Sequence, residues 1–170
     1  NDTIFPLKSV NQNNKTGFES KNPYPILFIH GLNSSSTTWD ATTAYFDSQY
    51  SYTFGGRFDF CLNADGNNGT ANLNIFPTAG ADIAAFETTM INGDYYTLNF
   101  NVNTDGSIGS GALSNQSAIY KQGIAVKKAI ERIMQLTGKN KVILVGHSMG
   151  GLASRQYLQN SNYWQPDAAH

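Results

Sequence analysis

The sequence has few of the residues that mark several classes of protein. Its single cysteine, Cys61, excludes an internal disulfide framework, and with 3 histidines there are too few Cys and His for a structural zinc site. Charged residues make up 14%, against roughly 25% in an average soluble protein. The 11 Lys and Arg are balanced by 12 Asp and Glu, so no basic surface for nucleic acid is indicated. No apolar run approaches the ~20 residues of a transmembrane segment.

Uncharged residues supply the polarity instead. The chain contains 19 Asn, 14 Ser and 16 Gly among its 170 residues. This composition suits a secreted protein, so a secreted or extracytoplasmic location is expected. The length corresponds to one domain or part of one, at ~100–200 residues per domain. Residues 1–23 show no periodicity and are interpreted as an irregular lead-in, and residues 24–170 as a portion of a single domain.

Three segments predict buried strands. Residues 24–30 and 141–145 are nearly unbroken apolar runs, which are typical of strands buried on both faces of a parallel sheet, and residues 95–100 form a third strand. Each strand is followed by a helical pattern. These predicted helices cover residues 39–50, 118–134 and 152–160. The repeated order predicts an α/β fold with a doubly wound, mostly parallel sheet.

The segment between the first two strands gives weaker patterns. Residues 57–62 alternate polar and apolar side chains, which predicts the first strand of a hairpin with residues 73–76 as the second. Residues 81–90 predict a short helix. Further along, Gly138 is expected to end the helix that starts near residue 118.

A G-x-S-x-G pentapeptide follows the strongest strand. Gly146, Ser148 and Gly150 fit the nucleophile elbow, in which a serine occupies a strained turn between a strand and a helix. Side chains two residues before and after the serine would collide, so glycine is favoured at both positions. The helix that begins at the serine directs its N-terminal N–H groups toward the site. The alternative is a serine that merely caps an ordinary helix.

A second motif lies upstream, where the first strand ends in His30, Gly31 and Leu32. With both motifs present, the sequence resembles the α/β-hydrolase superfamily, particularly its lipase and esterase branch. That branch pairs a strand-His-Gly-x oxyanion loop with a Gly-His-Ser-x-Gly elbow. The resemblance covers residues 24–50 and 94–160. It implies that residues 24–170 are the N-terminal portion of a single α/β-hydrolase domain.

The resemblance also implies roles for individual residues. Ser148 would be the nucleophile, and the backbone N–H groups of Leu32 and Met149 would bind the oxyanion. His30 is expected to support the oxyanion loop through a hydrogen bond, and His147 to point away from the attacking oxygen. The supporting residues of the two motifs are then His30, Gly31, Gly146, His147 and Gly150.

The sequence departs from the family at its C-terminal end. Family members present Ser, then Asp or Glu, then His in chain order, on later strands. Few residues follow Gly150, and Asp167 and His170 lie in a polar tail without an intervening strand. We therefore expect the C-terminal strands, the triad acid and the catalytic histidine to lie beyond residue 170. The 170-residue chain alone is expected to be inactive.

The resemblance implies a serine hydrolase that cleaves carboxylic esters, with lipid acyl esters as the expected substrates and transient contact with a lipid interface. It implies no metal and no organic cofactor. Two alternatives stay open, because one fold hosts many functions. One is a GPI inositol-deacylase-like or acyltransferase activity. The other is a non-catalytic binding module on a truncated hydrolase scaffold.

Overall fold

A computed structural model describes residues 21–62, 90–102, 107–108 and 116–163 of the chain. These residues form four strands and three α-helices. The strands are β1 (Ile26–Ile29), β2 (Phe54–Asp59), β3 (Tyr95–Asn99) and β4 (Ile143–Gly146). The helices are α1 (Asp40–Tyr50), α2 (Ile119–Thr137) and α3 (Met149–Gln159), with short 3-10 helices at Ser36–Trp39 and Ser161–Tyr163.

The four strands form one parallel sheet in the order β2-β3-β1-β4. β1 lies between β3 and β4, and all four of its residues are buried. An unbroken apolar strand needs cover on both faces, and the helices provide it. The predicted α/β fold with a parallel sheet is confirmed.

Alternate residues of β1 enter two separate cores. Leu27 and Ile29 belong to the larger core, which also contains the buried faces of α2 and α3. Phe28 belongs to the smaller core on the opposite face, where its ring lies 4.9 Å from the ring of Trp39 and 5.9 Å from that of Phe46 in α1. The sheet is therefore covered by helices on both faces, as a doubly wound fold requires.

Part of the segment predicted as the first strand of a hairpin, residues 57–62, is a strand, but it pairs with a strand that the sequence did not indicate. Residues 54–59 form β2, which pairs in parallel with β3, with Arg57 opposite Thr97. An alternating pattern fits the outer strand of a parallel sheet as well as a hairpin, because Phe58 is buried while Arg57 is exposed. The proposed partner strand 73–76 and the greater part of the helix predicted at 81–90 lie outside the described residues.

The helices begin and end close to their predicted positions. Gly138 ends α2 in the left-handed conformation, with φ 66°, and its N–H donates to the carbonyl of Met134 at 2.9 Å. α3 begins at Met149, earlier than the apolar pattern indicated, because the elbow leads directly into the helix.

Candidate active site

The two sequence motifs meet at the carboxyl edge of the sheet. β1 and β4 are neighbours, with Ile29 opposite Gly146. Just beyond this pair the N–H of His147 donates to the carbonyl of Ile29 at 3.0 Å, which continues the ladder into the elbow. In open α/β folds this edge is where ligands bind. The parallel register therefore brings the His30-Gly31 loop beside the turn that carries Ser148.

Ser148 has the conformation of an elbow and not of an ordinary helix cap. Its φ of 52° and ψ of −119° lie outside the regions that L-residues normally occupy. Although Ser148 is the N-cap residue of α3, its side chain makes no capping hydrogen bond, and the residue is exposed. A strained backbone of this kind persists only where its surroundings hold it. The alternative interpretation of Ser148 as a structural cap is not supported by this geometry.

The two glycines of the pentapeptide are required sterically. A methyl group on Gly146 would lie 2.6 Å from the carbonyl carbon and oxygen of Gly150. A methyl group on Gly150 would overlap the carbonyl oxygen of Ile29 and lie 2.6 Å from that of His30. Because all of these neighbours are backbone atoms, they cannot move aside as a flexible side chain would. The elbow can therefore approach β1 this closely only with glycine at both positions.

Gly31 brings the upstream loop into contact with the elbow. A methyl group on Gly31 would lie 3.0 Å from Nδ1 of His147 and 3.1 Å from Cβ of Ser148. The loop that carries Leu32 thus lies directly against the serine. Gly31 and Ser148 are thus in contact, and each is followed directly by a predicted oxyanion donor. These donors are the backbone N–H groups of Leu32 and Met149.

Met149 is the first residue of α3, so its N–H belongs to the turn of the helix that has no partner within the helix. The next two N–H groups are engaged, since Gly150 donates to the carbonyl of His147 and Gly151 to that of Ser148, each at 2.9 Å. Met149 itself is buried, whereas Leu32 is 53% exposed. This arrangement can present the Met149 N–H to an oxygen bound beside Ser148.

His30 is fully buried and links two strand ends through its ring. Nε2 accepts the N–H of Phe100 at 2.8 Å, so the ring proton is on Nδ1, which donates to the carbonyl of Gly31 at 2.7 Å. Burial lowers the pKa of His30, which favours the neutral ring that this pattern requires. With both nitrogens engaged, His30 is arranged to hold the loop and not to carry protons.

The described residues do not contain a complete Ser-His-acid triad. His30 is engaged as above, and His147 is exposed at the start of the elbow with its ring beside Gly31. Asp167 and His170 lie outside the described residues.

Within the described ranges, no group of three or more His, Cys, Asp and Glu side chains could hold a metal ion. No helix of that same part of the chain is long and apolar enough to cross a membrane.

One buried residue beside the site was missed by the sequence analysis. Gln122 in α2 is fully buried, and its side-chain nitrogen lies 3.3 Å from the sulfur of Met149. The available signal was its spacing, because Gln122 falls three residues after Ile119 and four before Val126, on the apolar stripe of the helix. A polar residue on such a stripe is the kind of exception that needs a structural or functional reason.

The sequence matches a known protein family. The profile of the PGAP1-like alpha/beta domain family matches residues 21–169. No curated protein matches the sequence. A crystal structure of the lin2722 gene product from Listeria innocua is similar, with 19% sequence identity and a TM-score of 0.49, covering 86% of this chain. The chain spans 47% of that protein's length. Since the family profile covers nearly the whole chain, the protein belongs to the PGAP1-like alpha/beta domain family, of α/β-hydrolase type.

Proposed function

We propose that the protein is a serine hydrolase that cleaves carboxylic esters through an acyl-enzyme on Ser148. The observation that carries this proposal is the conformation of Ser148, which holds a positive φ in a turn that only the two flanking glycines permit. Such strain costs of order 1–3 kcal/mol, and in proteins it is concentrated at functional sites. A binding module on the same scaffold would have no need to keep it.

The reaction would proceed as in other serine esterases. The Ser148 hydroxyl oxygen attacks the acyl carbonyl, while a histidine outside the described residues takes its proton. The oxyanion is bound by the N–H groups of Leu32 and Met149, and loss of one such donor typically costs ~3–4 kcal/mol of transition-state stabilisation. The same histidine protonates the leaving alcohol, and water then hydrolyses the acyl-enzyme.

Lipid acyl esters are the proposed substrate class. Leu32 follows the loop that touches Ser148, and Leu152 lies one helical turn beyond the serine in α3, and both are 53% exposed. Exposed apolar side chains beside a reactive serine favour an apolar acyl chain and transient contact with a lipid interface. The Asn- and Ser-rich composition supports the further proposal of a secreted or extracytoplasmic location.

The test is covalent labelling of the full-length protein with a fluorophosphonate probe. We expect labelling at Ser148, loss of labelling in Ser148→Ala, and a fall in ester turnover by several orders of magnitude. Ser161→Ala is the matched control, because Ser161 is also an exposed serine but lies beyond the far end of α3. Labelling that survives in Ser148→Ala would remove this residue from the role. A wild-type protein that neither labels nor hydrolyses esters would favour the non-catalytic binding module.

A further inference from the structure

Gln122 makes hydrogen bonds that point to the elbow. One proton of its side-chain nitrogen is donated to the carbonyl of Ser117 at 3.0 Å, and the same nitrogen donates to the sulfur of Met149 at 3.3 Å. The carbonyl of Ser117 can only accept, which fixes the orientation of the amide. Both N–H groups of the side-chain amide are therefore used, and one of them joins α2 to Met149, the residue after Ser148.

The oxygen of the same amide has no hydrogen-bond donor among the described residues. Gln122 is fully buried, and neither its Oε1 nor the hydroxyl of Ser117 has a hydrogen-bond partner among the described residues. Buried polar atoms are nearly always paired, so an apolar side chain of similar shape would cost the fold less at this position. The hydrogen bond to the Ser117 carbonyl gives the glutamine a structural role before α2, but it does not account for the second contact, with Met149.

The contact with Met149 lies beside the strained turn of the elbow. The peptide bond between Ser148 and Met149 is oriented by the strained ψ of Ser148, −119°. That peptide carries the N–H proposed to bind the oxyanion. An anchor on the Met149 side chain holds the Cα of Met149, and the first turn of α3 with it, against α2. Because Met149 has a helical backbone, the position of this Cα determines where its N–H lies relative to Ser148. A buried donor on a neighbouring helix is a suitable anchor, since α2 is a separate element from the elbow turn.

We propose that Gln122 is a positioning residue that holds the Met149 N–H in the orientation needed to bind the oxyanion. The inference rests on the proposed function, because without acyl transfer there is no oxyanion to bind. It assigns to Gln122 an effect on the transition state in addition to its role in the fold. Gln122 touches neither substrate nor the reacting atoms, and it acts through the sulfur of Met149.

The experiment is Gln122→Met in the full-length protein. This change keeps length and volume, removes the donor and removes the unpaired oxygen. We expect the melting temperature to change little, because loss of the hydrogen bond to the Ser117 carbonyl is offset by removal of the unpaired Oε1. We expect kcat for ester hydrolysis to fall about tenfold and KM to be unchanged. Binding of a boronic-acid transition-state analogue should weaken by a similar factor. A purely structural role predicts the opposite pattern, with stability lost and kcat retained.

Two further variants complete the test. Met149→Leu removes the sulfur acceptor, so it should lower kcat by a similar factor, and the double variant should lose no more than either single one. This variant also decides the question if Gln122→Met does not fold. Ile133→Val, in the same helix and core, is the control and should cost stability without changing kcat. A kcat within twofold of wild type in both Gln122→Met and Met149→Leu overturns the inference while labelling of Ser148 keeps the proposed function. Absence of labelling in the wild type overturns both.

Discussion

At the scale of single residues, His30 shows how burial selects one form of a titratable group. Its neutral ring accepts from the N–H of Phe100 and donates to the carbonyl of Gly31, joining the end of β3 to the loop beside Ser148. A protonated ring would have a proton on Nε2 as well, and this proton would face the N–H of Phe100. Protonation of His30 therefore breaks the link that holds the loop.

The pKa of His30 makes stability depend on pH. Burial lowers this pKa below the ordinary value of 6.5, so the unfolded chain binds a proton where the folded chain does not. The free energy of unfolding is therefore expected to decrease as pH falls from 6.5 to the pKa of the folded state. Above pH 6.5 the ring is neutral in both the folded and the unfolded chain, so His30 adds nothing to the pH dependence there. Urea unfolding at several pH values measures this dependence. The free energy of unfolding should change less steeply with pH in His30→Gln than in the wild type. Equal dependence on pH in wild type and His30→Gln would contradict the assignment.

The glycines of the elbow allow a matched comparison within one helix. A methyl group on Gly150 would overlap the backbone of β1, whereas one on Gly151 would lie 3.8 Å from its nearest neighbour, an ordinary contact. We expect Gly150→Ala to lower the free energy of unfolding by about 3 kcal/mol. Gly151→Ala should leave it unchanged or raise it by up to about 1 kcal/mol, because alanine favours helix. Chemical denaturation measures both, and equal effects would mean that β1 and the elbow are not packed as described.

At the scale of elements, the strands and helices predicted best are those whose local residue pattern fits their place in the folded sheet. β1 and β4 are apolar runs that only a buried strand suits, and α2 has a long apolar stripe that ends at a glycine. The elbow was found from its glycines, because the close contact between Gly146 and Gly150 lies within the pentapeptide itself. In each of these cases, the residues that decide the structure are close together in the chain.

The predictions failed where the deciding contact is distant. β2 pairs with β3, which lies across a long intervening segment, and its alternating pattern does not reveal that partner. The spacing of Gln122 on the apolar stripe of α2 indicates burial, but its contact with Met149 joins two helices and nothing in the local sequence indicates that partner. α1 was predicted, but the contacts that hold it were not: none of its residues is fully buried, and Asp47 accepts from the hydroxyl of Tyr95 at 2.9 and 3.1 Å.

At the scale of the whole molecule, β4 is the strand with least cover. Ile143, Leu144 and Val145 are only half-buried, and within the described ranges β4 pairs with β1 alone. α3, which follows it, exposes Leu158 at the end far from Ser148. Apolar strands of parallel sheets are normally buried on both faces, and an apolar strand with a free edge invites aggregation. We therefore predict that a further strand pairs with this edge in the full-length protein.

Residue-resolved hydrogen exchange tests this prediction, because the two edges of β4 can be measured separately. The N–H of Ile143 donates to the carbonyl of Pro25, just before β1, and the N–H of His147 donates to that of Ile29. Since N–H groups alternate in direction along a parallel strand, the N–H of Leu144 points to the free edge. In the full-length protein we expect the Leu144 amide to be as strongly protected as that of Ile143. In residues 1–170 alone we expect Leu144 to exchange quickly while Ile143, bonded to Pro25, keeps more protection, with a lower melting temperature and no ester hydrolysis. Fast exchange of Leu144 in the full-length protein, or equal turnover by the two chains, would show that β4 needs no further partner.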